Sequence, residues 1–351
     1  MNRSLSIDGT LISDDQPAYI IADIGHNHAG DMTRLEAMVD SAKASGVNAV
    51  KFQTRNPKSL YAPVEYYRTS DNIQWMDETY GIHREKLEWS PEEWKDVFDY
   101  CRNAGVTAFS TPFDFRSLDL LIGLGVPAIK IASGDATNLP LITAAASHGL
   151  PLIISTGGAN QKEVDEIVET MEKTTASFAL LQCSCIYPAP HDVLNLRAIT
   201  TIRDRYPTAC IGLSTHDPEI HPTLAAFALG GRIFEHHYTN NRRWKGTDNA
   251  FSLTPPMMKL LRKQVDDLSS AMGTGEKKPD IREFSYTTER RKSLYWSRDV
   301  ERGTIVTAKD ISIQCPGGGI APKHAATLVG RVASRNCRAG EAIQMGEIEN
   351  G

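Results

Sequence analysis

The 351 residues carry 38 Lys and Arg against 43 Asp and Glu, a formal net charge of -5. That balance offers no basic field for gripping nucleic acid, and no apolar run approaches the roughly 20 residues that span a bilayer. The length exceeds one ordinary domain, so one large unit and one small one are expected.

The opening stretch, Met1 to Gly9, lacks the apolar core of a signal peptide. The 6 scattered cysteines read as reduced thiols. Both point to a cytoplasmic location. Cys183 and Cys185 form a C-x-C, but with no second pair nearby they read better as small residues on a strand than as a zinc site.

In chain order, Ala18 to Ile24 is a buried strand and Gly25 to Gly30 the loop after it. Asp31 caps a helix whose Leu35, Met38, Val39 and Ala42 make a 3–4 spaced apolar stripe. Gly46 ends it, and Val47 to Gln53 is the second strand. Residues 54–89 form a long excursion bearing Tyr61, Tyr66, Tyr67, Trp75 and Tyr80. Long loops inside compact domains are commonly lids or binding loops. Ser90-Pro-Glu-Glu93 opens the next helix, with Ser as cap, Pro at the first helical position and Glu three after the cap. Strand and helix then alternate, with further strands starting near 106, 128, 151, 177, 210 and 232, and a helix over about 256–272.

Eight apolar strands with helices between them predict an α/β fold, a closed parallel (β/α)8 or TIM barrel. An open doubly wound sheet would normally carry a Gly-rich phosphate loop at its first turn, and Gly25 to Gly30 has neither the spacing nor the Lys. The barrel is expected over 1–273, a linker over 274–283 and a small β-rich domain over 284–351. In that domain Gly303, Val306 and Ile311 share their spacing with Gly340, Ile343 and Ile348, which suggests two similar turns.

Polar residues gather at the strands' C-terminal ends, where barrels place active sites. His216 and His237 end successive strands. They are either ligands for a divalent metal, leaving positions open for water and substrate, or hydrogen-bonded rim histidines. Alternation along a strand turns His236 away if His237 faces the mouth. Lys51 and Lys130 point inward among apolar neighbours, and a buried ammonium needs an anionic partner. With Thr111, Ser133, Ser155 and Ser214 around them, that partner is a phosphate or carboxylate ligand, or else Asp23, Asp135 or Glu235. A Schiff-base lysine is a third option, one that needs a depressed pKa, which neighbouring acids oppose. Asp23, Asp135, Glu235 and Asp248 are candidate acid/base groups. The segment from Cys183 to Tyr187 can offer a thiol and a hydroxyl to the same site.

The segments Ile21 to Asp31, Val50 to Gln53, Ser110 to Asp114, Lys130 to Asp135 and Ile154 to Gly157 resemble sialic acid synthases. So do Tyr187 to Pro190, Gly212 to His216 and Glu235 to Thr239, and the resemblance covers nearly the whole chain. These are phosphoenolpyruvate-dependent nonulosonate synthases, in which a barrel is paired with an antifreeze-like (SAF) domain. The resemblance implies attack by C3 of phosphoenolpyruvate on an open-chain, N-acetylmannosamine-like aldose, with water adding at C2 and phosphate leaving by C–O cleavage. It makes His216 and His237 ligands of Mn2+ or Mg2+. It assigns Lys51, Thr111, Lys130, Ser133, Ser155, Cys185 and Ser214 to phosphoenolpyruvate, and Gln53, Tyr187, Glu235 and Asp248 to the sugar. Asp135 would handle the water, with Asp23 and Glu235 as further catalytic carboxylates. A homodimer with exchanged ends is also implied.

The chain departs from the family pattern in places. Asp23 and Asp135 stand where Glu is usual or common, a shortening of about 1.3 Å. Cys185 stands where Asn or Ser is common. Cys315, before Pro316-Gly317, replaces an Arg that reaches the partner's N-acetyl group, so an acceptor other than plain N-acetylmannosamine is expected. Two other classes compete: a metal-dependent barrel hydrolase, for which His26-x-His28 is the suggestive feature, and a non-catalytic sugar-binding or scaffold barrel.

Overall fold

The computed structural model describes residues 3–69 and 79–349. Trp75, counted above with the aromatic residues of the excursion, lies outside them. The chain opens on an antiparallel hairpin that hydrophobic periodicity did not predict, β1 (Ser4–Ile7) with β2 (Thr10–Ser13). Asp8 and Gly9 both take positive φ, 50° and 77°, as a two-residue hairpin turn of the right twist requires. Leu5, Ile7 and Ile12 join the barrel's core. Thr107, at the start of a barrel strand, donates to the Asp8 carboxylate at 2.9 Å, which sets the hairpin at the barrel's N-terminal end.

The barrel strands are β3 (Tyr19–Gly25), β4 (Ala49–Thr54), β5 (Thr107–Pro112), β6 (Ile129–Ile131), β7 (Leu152–Ser155), β8 (Phe178–Gln182), β9 (Cys210–Thr215) and β10 (Ile233–His237). They pair in parallel in sequence order and close β10 onto β3, giving the predicted (β/α)8 barrel. Most of their residues are buried, because helices cover the outer face and the inner face fills the bore.

The capping chemistry read from the sequence sets the helix starts. The Asp31 carboxylate accepts from Arg34 N at the start of Met32–Ala44. Ser90 and Glu93 form a complete capping box on Pro91–Ala104, a feature worth about 1 kcal/mol per cap. The latter helix drops Trp94 and Phe98 onto Phe52, with ring centroids 6.0 and 5.9 Å away. Phe52 is the outward residue of β4, so its neighbours Lys51 and Gln53 turn to the bore. The excursion after β4 folds in part into short helices, Pro57–Leu60, Pro63–Tyr66 and Tyr80–Glu85, started by Asn56, Ala62 and Thr79.

The chain divides into two compact units, Met1–Gly273 and Thr274–Gly351. The second has its own core, including Leu294, Trp296, Val306, Leu328 and Ile343. Its strands β11 (Ser293–Trp296) and β12 (Ile311–Gln314), and β13 (Val332–Ala333) and β14 (Ile348–Glu349), pair antiparallel. The repeated spacing corresponds to repeated structure. Gly303 and Gly340 take φ of 84° and 81°, Val306 and Ile343 are fully buried, and a capped 3-10 turn then leads into β12 and β14.

Candidate active site

Register brings the strand-end side chains together. Asp23 is level with Lys51 on β4 and with His237 on β10, and Glu235 is level with Ser214 on β9. Alternation leaves His236 on the outer face, where its Nε2 bonds to the Thr223 hydroxyl at 2.6 Å. Of the barrel residues assigned catalytic, substrate or metal roles above, all but Asp135 line one cavity of about 380 Å³. Asp135 ends a 3-10 turn, Ser133–Asp135, and its carboxylate is held by Asn138 at 3.0 Å. Burial pushes its pKa up. Cys315 belongs to the second unit, where its exposed thiol donates to the Arg290 carbonyl at 3.4 Å.

The two lysines differ. Lys51 Nζ lies 2.9 Å from Asp23 Oδ1 and 3.8 Å from Glu235 Oε1, and donates to Thr111 Oγ1 at 3.2 Å. Its protein counter-ion is therefore Asp23, one of the partners left open by the sequence. Lys130 Nζ donates to the Ser155 hydroxyl at 2.6 Å and the Ile131 carbonyl at 2.7 Å, and its carboxylate, Glu235, is 4.0 Å away. Burial lowers the Lys130 pKa; Glu235 works against that and the Lys51 ammonium adds to it. Nearby acids oppose a depressed lysine pKa as expected, but at Lys130 desolvation outweighs a carboxylate at that distance. Burial disfavours charge on Asp23 as well. Lys51, His237 and hydrogen bonds from Lys51 and Gln53 nevertheless hold its carboxyl below the usual range.

His216 Nδ1 lies 2.7 Å from the Ser184 carbonyl. A carbonyl only accepts, so Nδ1 carries the proton and Nε2 is left with its lone pair, the arrangement seen for metal-ligating imidazoles. Burial, then the neighbouring His237, lowers the His216 pKa to about 4, so the ring is neutral at pH 7 and able to coordinate. The His237 ring is centred 5.3 Å from that of His216. Its Nδ1 is buried without a hydrogen-bond partner among the described residues, and Asp248 Oδ2 is 3.5 Å from it. Tyr187 covers His216 at 3.8 Å between centroids, and Phe251 sets its edge to both imidazoles. Among the described residues no three His, Cys, Asp or Glu gather as a metal-holding group. What the wall offers a cation is the lone pair of His216 Nε2 and the Nδ1 of His237, unpartnered among the described residues.

Sequence reasoning missed two charged members of the wall, Arg55 and Arg84, and named His26 beside them only as a hydrolase feature. Arg55 is 91% buried at 9% exposure. Its Nη2 donates to Gln53 Oε1 at 2.7 Å and its Nη1 lies 2.8 Å from His26 Nδ1. Arg84, from the excursion, meets the same imidazole at 2.9 Å. Burial and the two guanidiniums drive the His26 pKa well down, so the pair adds two positive charges that His26 does not augment. The available signal was an Arg directly after a barrel strand. His28, the other half of His26-x-His28, is buried, stacked on Trp89 at 4.2 Å, and accepts from Gly30 N.

Among the described residues no helix is long and apolar enough to cross a membrane. A model described as the NeuB family matches residues 38–277, and one described as the SAF domain matches 291–349. The chain is 34% identical over 337 residues to N,N'-diacetyllegionaminic acid synthase of Legionella pneumophila, with 94% of each chain covered. It is 29% identical to N-acetylneuraminate-9-phosphate synthase of Homo sapiens, covering 92% of this chain and 90% of that one. The crystal structure of N-acetylneuraminic acid synthetase from Leptospira borgpetersenii, in complex with citrate, matches with a TM-score of 0.72 at 30% identity, over 82% of this chain and 95% of that one.

Proposed function

This chain belongs to the NeuB family and carries a SAF domain; from that premise we propose that it condenses phosphoenolpyruvate with an open-chain hexosamine-type aldose, giving a nonulosonic acid and phosphate. The observation that carries the reading is one cavity holding two buried ammonium groups and two adjacent imidazoles. The doubly charged enol phosphate suits Lys130, whose own carboxylate is distant, with Ser155 and Thr111 as neutral donors. Gln53, fixed between Asp23 and Arg55, and Tyr187 and Asp248 suit the hydroxyls of the aldose.

C3 of phosphoenolpyruvate forms the new bond to the aldehyde carbon, water adds to C2, and the C2–O bond to phosphate breaks. The water's proton goes to Asp135 or to Glu235, whose Oε2 is buried and has no hydrogen-bond partner among the described residues. A divalent cation, Mn2+ or Mg2+, held by His216 and His237 would supply Lewis-acid polarisation of the aldehyde. With Cys in place of the family's Arg at Cys315, the acceptor differs from plain N-acetylmannosamine or is held otherwise. A homodimer with exchanged ends belongs to the same proposal.

The test is phosphate release with phosphoenolpyruvate and a panel of mannose, N-acyl and diamino hexoses, before and after chelation. The expected result is release only when both substrates and a divalent metal are present. Phosphate release without an aldose would point to a hydrolase, and tight phosphoenolpyruvate binding without turnover on any aldose would point to a binding protein. Highest efficiency on N-acetylmannosamine would reject the altered acceptor.

A further inference from the structure

The segment after β8 turns two thiols toward the cavity, and nothing in the chemistry above uses their redox reactivity. Cys183 is buried and Cys185 exposed, both are free, and both line the wall. Cys185 Sγ and the Ser133 hydroxyl face the same point of the wall at Gly157, and that hydroxyl accepts from Gly157 N at 3.0 Å. A Cβ on Gly157 would stand 2.6 Å from Cys185 Sγ and 2.7 Å from Ser133 Oγ, so both side chains close directly over this glycine. The backbone of residues 183–186 belongs to neither strand nor helix, and Cα atoms two residues apart lie at most about 7 Å from each other, at the upper edge of the disulfide range.

We propose that Cys183 and Cys185 form a redox-active dithiol in the cavity wall, oxidised by peroxide to an intramolecular disulfide that closes the phosphoenolpyruvate subsite. The two thiols divide the work. The interaction with Cys183 lowers the Cys185 pKa to about 6; burial opposes this, and Ser133 and Lys130 reinforce it. Cys185 is therefore the exposed thiolate that peroxides attack. The interaction with Cys185, and then burial, keeps Cys183 a thiol. The Cys185 thiolate displaces water from hydrogen peroxide, taking up one proton and becoming a sulfenic acid. Cys183 sulfur then forms the S–S bond, and its proton leaves with the sulfenic hydroxide as a second water. Overall, two thiols and one peroxide give one disulfide and two waters, and a dithiol reductant reverses the change. The bond draws Cys185 Sγ away from Ser133 and from the position that the resemblance assigns to phosphoenolpyruvate. That consequence rests on the functional reading above; the disulfide does not.

The experiment treats the full chain with hydrogen peroxide and maps its thiols by mass spectrometry, without substrate. The expected product loses two hydrogens within the peptide holding Cys183 and Cys185 and regains them with dithiothreitol. Phosphoenolpyruvate binding, measured by calorimetry on the same samples, weakens at least about tenfold, as expected for one lost polar contact to a charged ligand, and recovers on reduction. In that peptide Cys183→Ser keeps only the Cys185 thiol, which goes to sulfinic acid instead, a loss that dithiothreitol does not restore. Wild-type protein in which both thiols stay free, or Cys185 is over-oxidised beside a free Cys183, overturns the proposal. A disulfide that forms while phosphoenolpyruvate fails to bind either form leaves the dithiol standing and removes the functional reading.

Discussion

Lys51 and Lys130 lie on strands two positions apart around the same barrel, both 2% exposed, and look interchangeable in the sequence. Their surroundings separate them. Lys51 has a carboxylate at 2.9 Å, so its charge is balanced before any ligand arrives. Lys130 has neutral donors and acceptors close by and only a shared carboxylate at 4.0 Å, so burial works against its charge. The first lysine contributes to the fold as well as the site, whereas the second stores an unmet demand for an anion. Buried ion pairs are costly to break from one side, and the comparison can be tested on that basis.

The largest expected effect is Lys51→Met, which leaves Asp23 buried without its ammonium. It should cost about 3–5 kcal/mol of unfolding free energy, read by urea denaturation; a loss below about 1 kcal/mol would mean that Asp23 protonates or finds another partner without strain. Next is Lys130→Met. Glu235 keeps Lys51 at 3.8 Å and the Ser214 hydroxyl at 3.4 Å, so stability should change by no more than about 1 kcal/mol while phosphoenolpyruvate affinity falls about 100-fold. If both variants lose the same stability, the contrast between the lysines is wrong.

The third, smallest per pH unit, carries the contrast to an acid. Glu88 is buried near Arg55 and Arg84 and accepts from Arg55 N at 3.1 Å. Burial still outweighs both cations and raises its pKa to about 7. An acid whose pKa rises on folding favours the folded state while protonated, so its contribution is full at about pH 4.5 and is lost as pH climbs to about 7. Stability should decline across that window by at most about 1.4 kcal/mol per pH unit, and Glu88→Gln should flatten the slope. An unchanged slope in the variant would assign the pH dependence elsewhere.

Much of this was legible because strands and helices advertise their periods and the barrel rule places chemistry at strand ends. His216, His237, Glu235 and the lysines could be chosen on those grounds, and His236 could be turned outward by parity alone. Asp135 could not be placed that way, because it lies past its strand in a 3-10 turn whose direction periodicity does not encode. Arg55 and Arg84 are 29 residues apart in numbering and converge on His26 only because the excursion folds back. The hairpin at the start was announced by Asp8-Gly9, a local turn signal that a search for long apolar runs passes over.

The order of strands and helices, the capped helix starts, the repeated turns of the second unit and the identity of the groups at the barrel mouth were written in the residues themselves, since each follows from local stereochemistry or from alternation along one strand. Which carboxylate neutralises which lysine, which imidazole nitrogen keeps its lone pair, and which distant guanidiniums join the wall were settled by register and burial. Those depend on distances between segments far apart in the chain, and in a low-dielectric interior about an ångström between charges decides whether a group is satisfied or left waiting for a ligand.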